Sequence, residues 1–195
     1  MDKIDFEYLA RFKDKYPEFK KRGVMIDIGS RNINGSVAWF LDPQVQYIGI
    51  DIRNLRSDYI KNYAHIFTSI QNMPYETFSI PDPYVTWCGQ FHEYHERSDN
   101  SIDLITSFNM FEHDEFWKLT TRRAIELLKP KGRFIFQIIT GGQPHGEDYM
   151  EREYHNVDKK EFILHLESLN TNIEFVEDAT EDRAYIIGTK DYSNG

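Results

Sequence analysis

The chain has 195 residues, 40% hydrophobic, 28% charged and 15% aromatic, enough apolar material for one self-sufficient domain and unlike a disordered tail. Its 32 acidic residues outnumber 23 basic ones for a formal net charge of -9, which opposes binding to a phosphate backbone and argues against a nucleic-acid partner. No apolar stretch approaches the roughly 20 residues of a membrane span, the start Met1 to Phe6 has no basic-then-apolar pattern, and Cys88 is the sole cysteine, so a cytoplasmic protein without a membrane role is expected.

Phe6, Leu9, Phe12 and Tyr16 recur at helical spacing, and Pro17 ends or kinks the helix they predict. Lys20, Lys21 and Arg22, the one basic run, follow that helix and complement its dipole. Val24 to Ile28 reads as a strand buried on both faces, interrupted by Asp27. Gly29 and Gly35 permit a sharp turn and a close backbone approach, and Ser36 can cap the apolar stretch Val37 to Leu41. This junction presents backbone N–H groups and one carboxylate at a sheet edge, where a small charged ligand can be held. Its spacing fits neither a dinucleotide fingerprint, which needs a glycine two residues after Gly29, nor a phosphate-binding loop, which needs a lysine where Gly35 stands.

Val45 to Asp51 predicts a second buried strand ending in an acid, at about the 20-residue step that separates a glycine turn from a ribose-binding carboxylate. A carboxylate there has two acceptor oxygens for vicinal hydroxyls, and it can equally cap the segment after Ile52. Residues 53–82 contain Pro74 and Pro81 among short apolar runs; a short helix near Asp58 to Ala64 is the one element suggested. A strand is expected over Tyr84 to Cys88, with Cys88 as a buried thiol, and then a turn, a buried strand and a loop over Asp99 to His113. A helix from about Asp114 to Leu128 should stop at Lys129-Pro130-Lys131-Gly132, with Gly132 accepting the left-handed turn. Arg133 to Ile139 is the next strand, Lys159 to Leu169 a helix with Phe162, Ile163, Leu166 and Leu169 on one face, and Ile173 to Val176 and Arg183 to Gly188 a terminal strand pair joined over Glu177 to Asp182.

The D-x-G-S turn after Asp27, the acid Asp51, the D-N-S-x-D-L-I strand from Asp99, the F-E-H at Phe111 to His113 and the L-L-K-P-K-G-R-F-I-F run from Leu127 occur in one order over about residues 23–140. That ordered set resembles the class I S-adenosylmethionine-dependent methyltransferases. The resemblance implies an α/β, Rossmann-like three-layer sandwich around a seven-stranded, mostly parallel sheet with the last strand antiparallel. It also implies a single domain over 1–195, with an N-terminal helix in 1–22, a cofactor-binding core in 23–140, and an acceptor-side loop and terminal strand pair in 141–195.

On this resemblance the cofactor is S-adenosylmethionine, held by Asp27, Gly29, Ser30 and Gly35 at the methionine end, Asp51 at the ribose with Ile52 beside it, Gln90 and Phe91 at the adenine, and Asn109 from the facing side. The segment Thr140 to Asp148 with Tyr154 to Val157 resembles the H-G and Y-x-N segments of a branch acting on sugars and related small metabolites. The implied reaction moves a methyl group to an oxygen or nitrogen of a small polar metabolite, such as a sugar or phosphorylated compound. His145 and then His113 are candidate bases, because an imidazole titrates near neutrality, and Glu112, Tyr154 and Asn156 are candidates for binding the acceptor. His92, His95, His113 and His145 offer divalent-metal ligands, but no H-E-x-x-H spacing or cysteine framework enforces a site, and a metal is not favoured. A small-molecule acceptor is the expected partner, with the chain a monomer or homodimer. The competing readings are a noncatalytic binding or scaffold protein retaining the fold, or a protein or nucleic-acid methyltransferase.

Overall fold

A computed structural model describes residues 3–30, 37–51, 85–88, 91–140, 155 and 157–192, with the backbone alone at residues 3, 51 and 85–88. In chain order these form α1 (Lys3–Lys15), β1 (Gly23–Ile28), β2 (Val45–Asp51), β3 (Val85–Cys88), β4 (Ile102–Ser107), α2 (Trp117–Leu127), β5 (Leu128–Ile139), α3 (Lys159–Glu167), β6 (Thr171–Thr180) and β7 (Arg183–Lys190). One-turn 3-10 helices lie at Pro17–Phe19, Val37–Phe40, Phe91–Glu93 and Phe111–His113. The suggested helix near Asp58 to Ala64 lies outside the described residues.

The seven strands stand in the order β3-β2-β1-β4-β5-β7-β6. β1 to β5 pair in parallel, and β7 runs antiparallel to both β5 and β6, so the last strand is the reversed one, as expected. The chain builds outward from β1 through β2 to β3 and then returns to place β4 on the other side of β1. The β1/β4 boundary is therefore the topological switch point, beyond whose carboxyl ends an open α/β sheet forms its crevice.

Alternate residues of the central strands feed two separate cores, which is why β1 and β2 read as almost unbroken apolar runs. Met25, Tyr47, Leu104, Ile135 and Tyr185 pack with Leu9, Phe12 and Tyr16 of α1 and with Val37 and Phe40. On the opposite face Ile26, Ile28, Ile48, Ile50, Phe134 and Phe136 pack with Ala124 and Leu127 of α2 and with Phe162 and Leu166 of α3. The result is three layers: helix, sheet, helices. Tyr8 stacks on Tyr185 with ring centroids 4.1 Å apart, while Phe162 stacks on Trp117 at 5.1 Å.

Two junctions differ from the sequence-based expectation. α2 begins at Trp117 rather than near Asp114 because Asp114 holds a turn first: its Oδ1 accepts from the Phe116 N–H at 2.8 Å and its Oδ2 from Thr120 Oγ1 at 2.6 Å. After α2 the left-handed residue is Lys131, with φ 65°, and not Gly132. Gly132 is needed for space instead, since a Cβ there would lie 2.8 Å from the Lys129 carbonyl oxygen and 3.0 Å from that of Ile102. The terminal strands are also longer than their apolar cores, leaving a two-residue turn at Glu181 and Asp182.

Candidate functional site

The turn after β1 starts at Gly29, whose φ of +72° lies in the left-handed region that side chains resist. A Cβ at this position would stand 2.6 Å from Met110 Cγ and 2.8 Å from Met110 Cβ, so the loop after β4 lies directly against the turn after β1. The Gly29 and Ser30 N–H groups both donate to the Ile50 carbonyl, at 2.8 and 3.1 Å. This corrects the expectation that the first N–H groups of the turn point to a ligand: they fasten the turn to β2.

Asp27, expected in the cofactor set, is 4% exposed. Its Oδ2 accepts from Tyr47 Oη and its Oδ1 from Thr106 Oγ1, both at 2.8 Å. The carboxylate therefore links β1 to both neighbouring strands, the three that frame the crevice. Ser30 is buried, and its hydroxyl has no hydrogen-bond partner among the described residues.

β4 delivers the facing side. Ser107 pairs in register with Ile28, so Ser30 and Asn109 each stand two residues beyond that paired position. The Ser107 hydroxyl, too, is buried without a partner among the described residues. Asn109 has φ 50°, tolerated by an asparagine better than by most side chains. Its backbone N–H donates to Gln137 Oε1 at 2.7 Å, and its Nδ2 donates to Asp5 Oδ2 at 3.0 Å. Its Oδ1 is buried with no partner among the described residues.

Asp5 comes from α1 and is fully buried. Its Oδ1 accepts from Tyr185 Oη at 2.6 Å and from Gln137 Nε2, with Arg183 Nη1 at 3.4 Å. Burial, and then the adjacent Asp5 carboxylate, push the Tyr185 phenol well above its ordinary range, so it stays a proton donor to Asp5.

Beyond Met110, Glu112 is 1% exposed, and its backbone carbonyl accepts from the His155 N–H at 2.7 Å. His113 Nε2 lies 3.7 Å from Glu112 Oε1, which makes the two a compact acid–imidazole pair after β4. Phe91 is 4% exposed and packs in the core against Tyr94, with ring centroids 6.2 Å apart. Arg123 of α2 fixes this stretch by donating to the Tyr94 carbonyl at 2.9 Å and to Asp99 at 2.7 Å. His92 rests edge-on to Phe116 with ring centroids 5.3 Å apart, and His95 is exposed. Among the described residues no group of three or more His, Cys, Asp or Glu could hold a metal ion.

Asp51 ends β2 at the same edge, paired in register with Cys88. Gly35, Ile52, Gln90, His145, Tyr154 and Asn156 lie outside the described residues. The structure thus brings Gly29, Ser30, Asn109 and the backbone of Asp51 to one edge, with Glu112 and His113 following Met110. Sequence reasoning missed Asp5, Thr106, Met110, Gln137 and Tyr185. Of these, only Gln137 signalled itself, as a fully buried amide inside the apolar run Phe134 to Ile139. No helix among the described residues is long and apolar enough to cross a membrane.

A family described as a methyltransferase domain matches residues 1–174. No curated protein matches the sequence. Among solved structures, the chain is similar to a Methanosarcina mazei SAM-dependent methyltransferase, with 14% identity and a TM-score of 0.63 over 90% of this chain and 96% of that one. It is also similar to the Burkholderia thailandensis 1,6-didemethyltoxoflavin-N1-methyltransferase with bound 1,6-didemethyltoxoflavin and S-adenosylhomocysteine, at 13% identity and TM-score 0.67, covering 97% and 79%. A third is a chain from a complex with a Haloferax volcanii methyltransferase activator, at 12% identity and TM-score 0.66, covering 98% and 99%.

Proposed function

This chain belongs to the methyltransferase domain family, and from that premise we propose that it moves the methyl group of S-adenosylmethionine to an oxygen or nitrogen of a small polar metabolite. A sugar or a phosphorylated compound would suit. The observation that supports the cofactor is the set of buried polar atoms flanking the switch point that have no partner among the described residues, namely Ser30 Oγ, Ser107 Oγ and Asn109 Oδ1. An unsatisfied buried polar group costs about 1–3 kcal/mol, so this edge suits a ligand that brings both donors and acceptors.

When bound, S-adenosylmethionine supplies an electrophilic methyl carbon that bonds to the acceptor's lone pair as the carbon–sulfur pair returns to sulfur. The chain's own residues position and desolvate. Gly29 lets Met110 and the loop after β4 close against the turn after β1, Asn109 accepts a hydrogen bond at the methionine end, and Asp51 accepts from the ribose hydroxyls. Gln90 is the candidate for the adenine. Glu112 and His113, with Tyr154 and Asn156, line the acceptor side, and His113 or His145 takes the proton released by a hydroxyl or amine acceptor.

The small polar acceptor rests on the net charge of -9, which disfavours nucleic acid, and accords with the small-molecule substrate of the Burkholderia neighbour. Titration calorimetry with S-adenosylhomocysteine tests the cofactor: saturable one-site binding is expected, and no binding at high micromolar ligand would sink the reading. Asp51→Ala should weaken that binding about tenfold or more, as loss of a charge-assisted hydrogen bond does. Equal affinity in the variant would remove the ribose assignment.

A further inference from the structure

We infer that Asp5, in the first turn of the N-terminal helix, is a positioning residue of the cofactor site that acts through Asn109. The inference rests on the cofactor reading given above. An ionised carboxylate only accepts hydrogen bonds, so the side of the Asn109 amide that faces Asp5 must be the NH2 group. The 3.0 Å contact from Nδ2 to Asp5 Oδ2 therefore assigns Oδ1 to the other end of the amide. That oxygen is the buried atom left without a partner among the described residues.

Gln137 closes the arrangement. Its Nε2 donates to Asp5, which fixes its own amide in the same way, and its Oε1 then accepts the Asn109 backbone N–H at 2.7 Å. Asn109 is thus held at its main chain by Gln137 and at its side chain by Asp5, in a left-handed backbone conformation at φ 50°. Over-determined residues in sparse backbone regions are the kind that a site can hold ready for a ligand.

Tyr185, at 2.6 Å, joins Gln137 in donating to the other Asp5 oxygen, and Arg183 approaches it at 3.4 Å. The whole network is anchored on β5, β7 and α1, so the Asn109 oxygen, without a partner among the described residues, is backed by regular elements. A lone carbonyl acceptor with a carboxylate behind it favours a cationic donor. At the methionine end of the proposed cofactor that donor is the α-ammonium group.

The discriminating measurement compares two ligands by calorimetry: S-adenosylhomocysteine, and 5′-methylthioadenosine, which keeps the nucleoside and sulfur but lacks the amino-acid end. Asp5→Asn should lose roughly tenfold to a hundredfold in affinity for the first and bind the second within about twofold of wild type, because only the first engages Asn109. Asn109→Ala should show the same loss of discrimination, and the double variant no further loss. Equal losses for both ligands in Asp5→Asn, or losses that sum in the double variant, would mark a structural role only and overturn the proposal. An Asn109→Ala variant with wild-type discrimination overturns it on its own, whether or not Asp5→Asn folds. A wild-type protein that binds neither ligand refutes the cofactor reading itself, a result distinct from wild-type binding with unaltered discrimination in the variants.

Discussion

Gly29→Ala is the sharpest perturbation of the crevice, because two separate costs can be worked out at this one position. The first is conformational: an L-residue held in the left-handed region costs roughly 1–2 kcal/mol, and Gly29 has φ +72°. The second is steric. The added methyl would lie 2.6 Å from Met110 Cγ and 2.8 Å from Met110 Cβ, and these are the inner atoms of that side chain rather than its flexible end. Overpacking of this kind costs about 1–3 kcal/mol, so the variant should lose about 2–5 kcal/mol in urea unfolding. The double variant with Met110→Ala separates the two. Removing Cγ relieves the closer contact but retains Cβ at 2.8 Å, so part of the steric cost should vanish and the conformational part should persist. A Gly29→Ala protein within about 0.5 kcal/mol of wild type would refute both terms, and full recovery in the Met110→Ala background would refute the conformational one.

Tyr47→Phe leaves the fully buried ring in place but removes the donor to Asp27 Oδ2, so a buried carboxylate loses a partner; a loss of about 1–3 kcal/mol is expected in the same unfolding assay, and unchanged stability would show that the β1/β2 link contributes nothing. His165 gives a pH-dependent prediction. Burial lowers its pKa from the ordinary 6.5, against a smaller raising effect of the Lys118 carbonyl. The unfolded chain therefore binds the proton more readily, so the neutral imidazole's contribution is complete above pH 6.5 and is lost as pH falls from there through the folded pKa. Thermal melts at several pH values should show wild type losing more stability on acidification below pH 6.5 than His165→Phe, and parallel profiles would refute the assignment.

The strands were legible because their signals are local. β-branched runs such as Val24 to Ile28 mark a strand covered on both faces, and the acids closing β1 and β2 marked the carboxyl edge. What the acids do was not legible. Asp27 reads locally as a group delivered to a ligand, yet its partners Tyr47 and Thr106 stand on the two adjacent strands. Gly132 reads as the left-handed residue, yet that conformation falls on Lys131 while Gly132 is required by two carbonyls brought close by the sheet. Asp5 is the extreme case. An acid in a first helical turn is normally a solvated complement to the dipole, and nothing near it in the chain announces Asn109, Gln137, Arg183 and Tyr185 as its neighbours.

Two of the buried acids, Asp27 and Asp5, brace the crevice by joining the elements that frame it. Asp27 holds β4 to β1 and β2 through Thr106 and Tyr47, immediately before the strand ends. Asp5 holds the residue just past that end, Asn109, to α1 and, through Gln137 and Tyr185, to β5 and β7. The end of β4 is therefore clamped from both directions on the α1 face, next to the point where the Met110 side chain lies against Gly29. Buried carboxylates are costly where one partner is missing and inexpensive where every oxygen is engaged. That condition ties the geometry of the crevice to the docking of α1, so loosening the helix should reach the site through Asn109 before it reaches the sheet.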